Sequence, residues 1–255
     1  REARSATGTF LNDKRVERIK ADLVEAPRHE RQAVYRLPTP PHCGRTVIEA
    51  EDLSKHYGDN PPVFSEVTFG IERGERMLIM GFNGAGKTSL LRILAGQSEP
   101  DTGLVRFGMD VRFGYYAQEH ENVDGDRTIL DNVQSAADGL GEREIRSLLG
   151  MFGLSGEKVF QPAGTLSGGE KTKVSLAQLC AGAHNLLLLD EPTNNLDPPS
   201  RTAIAEALAA WGGAMIIVSH DPEFVAALRP QRVLTMPDGT LDYWSDDLAE
   251  LVSLT

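Results

Sequence analysis

Eight consecutive residues constrain this chain more than any other feature. Gly81-Phe82-Asn83-Gly84-Ala85-Gly86-Lys87-Thr88 match the pattern G-x-x-x-x-G-K-[ST] in full. The apolar run Met77–Met80 precedes them and Leu90–Leu94 follows Ser89. The pattern needs that context of a strand running into a helix through a glycine loop. The chemistry explains the composition. Successive backbone N–H groups make a concave anion site, and side chains in the loop would block the approach of a phosphate. The helix start adds about half a positive charge. Lys87 is placed to reach the β- and γ-phosphates of a nucleoside triphosphate, and the Thr88 hydroxyl to ligate Mg²⁺. Residues 81–89, Ser89 included, are therefore the candidate nucleotide-binding loop.

A second feature fits the same chemistry. Leu186-Leu187-Leu188-Leu189-Asp190-Glu191 reads as a buried strand that ends in two carboxylates. The C-terminal edge of such a strand is where open α/β sheets bind ligands. Asp190 is the candidate Mg²⁺ residue. Glu191, one residue on, is free to polarise an attacking water.

The rest of the chain supplies a matching scaffold. Strands are expected at Thr46–Ala50, Val67–Ile71, Arg76–Met80, Leu104–Phe107, Val111–Tyr116 and Met215–Ser219. They are short, β-branched or apolar, and bounded by Gly, Pro or Asp. Helices are expected at Lys87–Ala95, Thr128–Ala136, Arg143–Met151, from Gly168 to Leu179, from Pro199 to Trp211 and at Pro222–Leu228. A hairpin turning at Asp238-Gly239 and a terminal helix from Asp246 close the chain. This alternation predicts an α/β fold with a largely parallel sheet covered on both faces, and the earlier strands form a smaller antiparallel layer.

Residues 1–40 read differently. Val16, Ile19, Leu23 and Ala26 recur at helical spacing over residues 11–26, and Pro27 ends the pattern. Pro38, Pro40 and Pro41 then form a connector, which places a boundary near residue 40. The net charge is −11, but residues 1–36 hold nine Lys/Arg against six Asp/Glu. An acidic body is ill suited to coating nucleic acid, so polyanion contact is expected in the basic N-terminal segment. No apolar run approaches the roughly 18 residues a membrane helix needs, and the expected location is cytoplasmic. Two cysteines, Cys43 and Cys180, are too few for a disulfide framework.

Between the two phosphate-related motifs lies Leu166-Ser167-Gly168-Gly169-Glu170. Ser-Gly-Gly opening a helix is a second anion-binding terminus. One nucleotide does not need two, so this terminus is expected to face a nucleotide held by another domain. With these motifs in this order, residues 46–245 resemble a nucleotide-binding domain of the ABC (ATP-binding cassette) superfamily. The resemblance implies a P-loop ABC cassette spanning residues 41–255, with a small helical subdomain at about 119–180, that binds ATP and Mg²⁺ and hydrolyses ATP. It implies further roles for individual residues. Tyr57 would stack on adenine. Gln118 would sense Mg²⁺ and the attacking water, and His220 would sit at the γ-phosphate. Asn195-Leu196-Asp197 would be the loop that crosses to a partner cassette, and residues 166–170 would cover the partner's nucleotide.

Details point to the ABC-F branch. Transport cassettes usually carry Gln where this chain has Glu170. The run Leu166-Ser167-Gly168-Gly169-Glu170-Lys171-Thr172-Lys173-Val174, the paired Asn194-Asn195 and the closing Gly239-Thr240-Leu241-Asp242-Tyr243-Trp244 all resemble that branch. ABC-F proteins carry two cassettes on one polypeptide, joined by a charged helical linker, and have no membrane domain. They act on ribosomes in translation or in protection from antibiotics. Residues 1–40 would then be the end of that linker, with rRNA or tRNA contacts through its basic residues, followed by the second cassette. The alternative is the ATPase subunit of a membrane transporter, which leaves Glu170 and the N-terminal helix unexplained. A chromosome or DNA-repair ATPase fits less well. Those with long coiled coils separate the two nucleotide motifs widely, whereas Lys87 and Asp190 are 103 positions apart, and those with zinc fingers need more cysteines.

Overall fold

The computed structural model describes residues 37–58, 60–117 and 123–252. The expected helix at 11–26, the linker end before residue 37 and Gln118 lie outside them.

Two sheets form. A three-stranded antiparallel sheet has the order β2-β1-β4, with β1 at Thr46–Lys55, β2 at Phe64–Glu72 and β4 at Thr102–Phe107. A six-stranded sheet has the order β5-β6-β7-β3-β8-β9. Its members are β3 (Arg76–Met80), β5 (Phe113–Tyr116), β6 (Leu186–Asp190), β7 (Ala214–Val218), β8 (Arg232–Thr235) and β9 (Thr240–Tyr243). All its pairs are parallel except β8 with β9, the hairpin that turns through Asp238-Gly239. The helices are α1 (Lys87–Leu94), α2 (Ile129–Ala136), α3 (Glu142–Met151), α4 (Gly168–Ala181), α5 (Pro198–Ala210), α6 (Pro222–Leu228) and a terminal turn, α7 (Ala249–Val252). Short 3₁₀ turns at Gly156–Phe160 and Ala163–Thr165 join α3 to α4.

Most strand and helix ends agree with the sequence reading within two residues. The largest difference is β1, which continues to Lys55 rather than ending at Ala50. Glu51 and Asp52 are poor strand formers. The strand passes them through an irregular register, with Asp52 at a φ of 51°, a local distortion of the kind that lets a ladder continue. The strand expected at Val111–Tyr116 begins two residues late, at Phe113, and the peptide N–H of Arg112 before it bonds the side chain of Asn185 at 2.8 Å.

The pleat of β6 sorts its leucines between two cores. Leu186 and Leu188 pack with Leu90, Leu91 and Leu94 of α1 and with the antiparallel sheet. Leu187 and Leu189 pack with Val133, Leu148 and Leu176 from α2, α3 and α4. Both faces of the strand are covered, which is why its sequence is an unbroken apolar run. Arg76 ties the far ends of two helices to the sheet. Its guanidinium donates to Leu228 O at 2.6 Å, Ala209 O at 2.9 Å and Trp211 O at 2.8 Å, using a cation to satisfy helix C-terminal carbonyls. The connector also belongs to this packing. Leu37 lies against the core, and Trp211 Nε1 donates to Pro38 O at 3.1 Å.

Register sets the position of the functional edge. Ile79 pairs with Val218 and Asp190 pairs with Val218. The adjacent strands β3, β7 and β6 therefore end level, and the residues that follow them emerge at one place.

Candidate nucleotide site

Three strand ends meet at a cleft of ≈ 750 Å³. β3 delivers the glycine loop, β6 delivers Asp190 and Glu191, and β7 delivers His220. Tyr57, Phe82, Asn83, Gly84, Gly86, Lys87, Thr88 and Ser89 line the cleft together with those three residues.

The glycine loop leaves the start of α1 open. Gly86 is its N-cap, in left-handed geometry at a φ of 91°, with no side-chain hydrogen bond and no acidic residue in the first turn. A Cβ at Gly86 would stand 2.6 Å from Val63 Cγ1 and 2.8 Å from Phe64 Cδ1, so conformation and crowding both demand glycine. The other described helices of eight or more residues start under an oxygen-bearing cap: Thr128 for α2, the Glu144 side chain for α3, Ser167 and Glu170 for α4, and Asp197 for α5. The helix aimed into the cleft is the one left open, with its N–H groups and dipole available to an anion.

Lys87 is 8% exposed. Its ammonium donates to Gly81 O and, at 3.3 Å, to Phe82 O. Burial lowers its pKa, while the charges of Glu191 and Asp190 oppose that shift. Asp190 is 2% exposed, and one of its oxygens, Oδ2, has no hydrogen-bond partner. Burial raises its pKa, and the Thr88 hydroxyl, which hydrogen-bonds it, leads the groups that hold it down. A buried, partnerless carboxylate oxygen beside a threonine hydroxyl is a donor set suited to a hard divalent cation. Among the described residues no group of three or more His, Cys, Asp or Glu is arranged to hold a metal ion by itself. Mg²⁺ is usually held by one or two protein carboxylates and takes its remaining ligands from phosphates and water.

Glu191 follows in left-handed geometry, at a φ of 51°. Its peptide N–H bonds Val218 O at 2.9 Å, which seats it across the end of β7. Its side chain is pushed up to about 7, first by burial, with Asp190 and Asp221 adding to the shift and the His220 peptide N–H and Lys87 opposing it. Oε2 accepts that N–H at 3.3 Å. The His220 Nε2 stands 3.0 Å from Oε1 but out of hydrogen-bond alignment, so Oε1 has no donor. Burial and Lys87 lower the His220 pKa, and a hydrogen bond with the backbone of Val252 opposes them.

Tyr57 is half exposed at the rim of the cleft. Its hydroxyl bonds Ser89 Oγ at 3.1 Å, and the Lys55 ammonium lies 5.4 Å from the ring centroid. The preceding His56 is fixed by Asp101, to which its peptide N–H donates at 2.6 Å.

None of residues 166–170 lines this cleft. They lie with the other expected partner-facing element. A Cβ at Gly169 would stand 3.0 Å from Asn195 O, and Lys173 pairs with Asp197. Leu166 and Leu196 are buried beneath this surface, and Asp197 caps α5 through Ser200. The α4 start differs from the open anion terminus expected from sequence. Ser167 Oγ and the Ser167 peptide N–H both donate to Glu170 Oε2, at 2.8 and 2.9 Å, so the terminus carries its own carboxylate. Lys158 and then these Ser167 bonds depress Glu170 to about 2. This predicts an acid-linked contribution to stability. It is complete above the ordinary carboxylate pKa of about 4.5 and is lost as pH falls towards 2. In urea unfolding, the stability difference between wild type and Glu170→Gln should be constant from pH 7 to 5 and shrink by pH 3.

Sequence reasoning missed several residues of these sites. Asn194 and Val63 line the cleft, Arg92 acts on Asp190, and Val252 holds His220. The paired asparagines were a signal for Asn194. The other three are brought in by folding, with no local pattern to mark them.

The family model described as ABC transporter matches residues 64–194, about half of the chain. The chain belongs to the ABC transporter family. It is therefore an ATP-binding cassette, and ABC cassettes are ATPases. It is 35% identical to the putative ATP-binding protein YdiF of Bacillus subtilis, over 99% of this chain and 40% of that protein. It is 33% identical to ABC transporter F family member 5 of Arabidopsis thaliana, over 92% of this chain and 34% of that protein. It is 32% identical to the energy-dependent translational throttle protein EttA of Escherichia coli, over 88% of this chain and 40% of that protein. The cassette thus spans about two fifths of the length of the curated relatives it matches. Its fold is that of the ATP-binding cassette MJ0796, solved as a dimer in a post-hydrolysis state with ADP and Pi. The TM-score is 0.64 at 23% identity, covering 77% of this chain and 98% of that one.

Proposed function

We propose that the cassette binds Mg²⁺-ATP in the cleft between the β3, β6 and β7 ends and hydrolyses it when a second cassette closes over it, as part of a cytoplasmic ABC-F protein that acts on the ribosome. The uncapped α1 terminus, facing a buried lysine and two buried carboxylates, is the observation that carries the ATP site. The loop N–H groups and Lys87 bind the phosphates. Thr88 and Asp190 would hold Mg²⁺, with Gln118, by resemblance, as a further ligand. Bound there, the cation neutralises phosphate charge. Glu191 takes a proton from the attacking water through Oε1, the oxygen without a donor, and His220 donates to the γ-phosphate. Tyr57 stacks on the adenine. Catalysis is positioning and electrostatic stabilisation, as expected for phosphoryl transfer.

Neither residues 166–170 nor residues 195–197 line the cleft, which supports their use on a partner's nucleotide. A linker end before about residue 40 would lead into the cassette, with Leu37 and Pro38 already packed against it. The ribosomal reading draws on the name of the translational throttle relative, on Glu170 and on the basic balance of residues 1–36. Among the described residues no helix is long and apolar enough to cross a membrane. Sedimentation of the full-length protein carrying Glu191→Gln, with ribosomes or with membranes in ATP, tests this reading. Recovery with ribosomes is expected. Recovery with membranes alone would replace the ribosomal reading with that of a transporter subunit.

A further inference from the structure

The start of α4 holds a charge that its proposed role does not welcome. The Glu170 carboxylate sits in the first turn, with Oε2 bound to the Ser167 N–H and hydroxyl. A carboxylate stabilises a lone helix start. It also repels any phosphate brought within a Debye length, about 8 Å at physiological salt. The other carboxylate oxygen, Oε1, accepts from Lys158, which stands on the 3₁₀ turn Gly156–Phe160. Lys158 is the ion-pair partner of Glu170 among the described residues. The approach itself is clear. Ser167 and Gly168 are exposed, and a Cβ at Gly168 would meet nothing within 4 Å.

We propose that Lys158 is a positioning residue for nucleotide capture in trans: it neutralises Glu170 and holds it back, so that the Ser167 hydroxyl and the exposed first turn of α4 can meet the γ-phosphate of a nucleotide bound by the partner cassette. This rests on the paired-cassette reading above. Without a partner, the Ser167 hydroxyl donates its hydrogen bond to Glu170. On pairing it turns to the phosphate, and Glu170 keeps Lys158 as its partner instead of facing the phosphate with an uncompensated charge. The lysine's sequence position, twelve residues before the glutamate, carries no motif, and only the fold brings the two together.

The test measures ATP-dependent turnover and sedimentation of this chain with Lys158→Met, Lys158→Arg, Glu170→Gln and the Lys158→Met/Glu170→Gln double variant. Capture that serves ground state and transition state alike appears in KM rather than kcat. Lys158→Met should raise the KM for ATP about tenfold with kcat within about twofold, and Lys158→Arg should restore it. With Glu170→Gln already present, adding Lys158→Met should change KM less than about twofold, because the charge it offsets is gone. An equal KM rise in both backgrounds, or a loss confined to kcat, would overturn this inference while leaving the paired site standing. Full turnover by a species that sediments as a monomer would overturn the paired site itself.

Discussion

Lys87→Met should weaken ATP binding by about two orders of magnitude. The lysine is buried at the mouth of α1, and the charges that oppose its burial, Glu191 and Asp190, are carboxylates whose own pKa values burial drives upward. A triphosphate arriving there gains charge-assisted hydrogen bonds worth about 1.5–3 kcal/mol each. Losing contacts to two phosphates costs about 3 kcal/mol or more, which corresponds to at least a hundredfold in Kd. Methionine keeps the length of the stem and its packing. Calorimetric titration with ATP reads the affinity, and thermal unfolding without nucleotide separates it from stability. Near-wild-type affinity in a folded Lys87→Met protein would remove the phosphate loop from the account.

Glu191→Gln should have the opposite profile, with binding kept and turnover lost. The amide has the shape of the carboxylate, and its oxygen can still accept the His220 N–H that Oε2 accepts now. It cannot take a proton from water. General-base assistance typically contributes 10²–10⁴-fold, so kcat should fall by about that range while the Kd for ATP stays within about threefold. A protein that binds ATP and cannot cleave it should accumulate in the closed, paired form. Unchanged turnover would move the base elsewhere. His220, 3.0 Å from Glu191 Oε1, is then the candidate to take the proton.

The parts of this molecule that were legible in the sequence are those governed by local rules. The run Leu186–Leu189 announces a strand covered on both faces, since a half-exposed strand would alternate. The glycine loop announces its own geometry, since bulkier residues could not adopt it. Level strand ends then follow from parallel pairing, so Lys87, Asp190, Glu191 and His220 converge although they are scattered along the chain. The long-range side-chain contacts were not legible. Lys158 reaches Glu170, Val252 reaches His220 and Arg76 reaches two helix ends, each through a fold that juxtaposes distant segments without leaving a period or spacing behind. The closing of α4 by its own Ser167 and Glu170 was written in the sequence as a capping box. Ser-Gly-Gly alone resembles an anion site, and the Glu three residues after the Ser turns it into a cap.

If one cassette's phosphate cleft is completed by the signature surface of another, two chains should pair only when ATP bridges them. Sedimentation velocity of the Glu191→Gln chain, with and without ATP and Mg²⁺, tests it most directly. A single-chain species is expected without nucleotide, a two-chain species with ATP, and loss of that species when Ser167→Arg is added to block the signature. A Glu191→Gln chain that binds ATP at saturation and still sediments as one chain would contradict it.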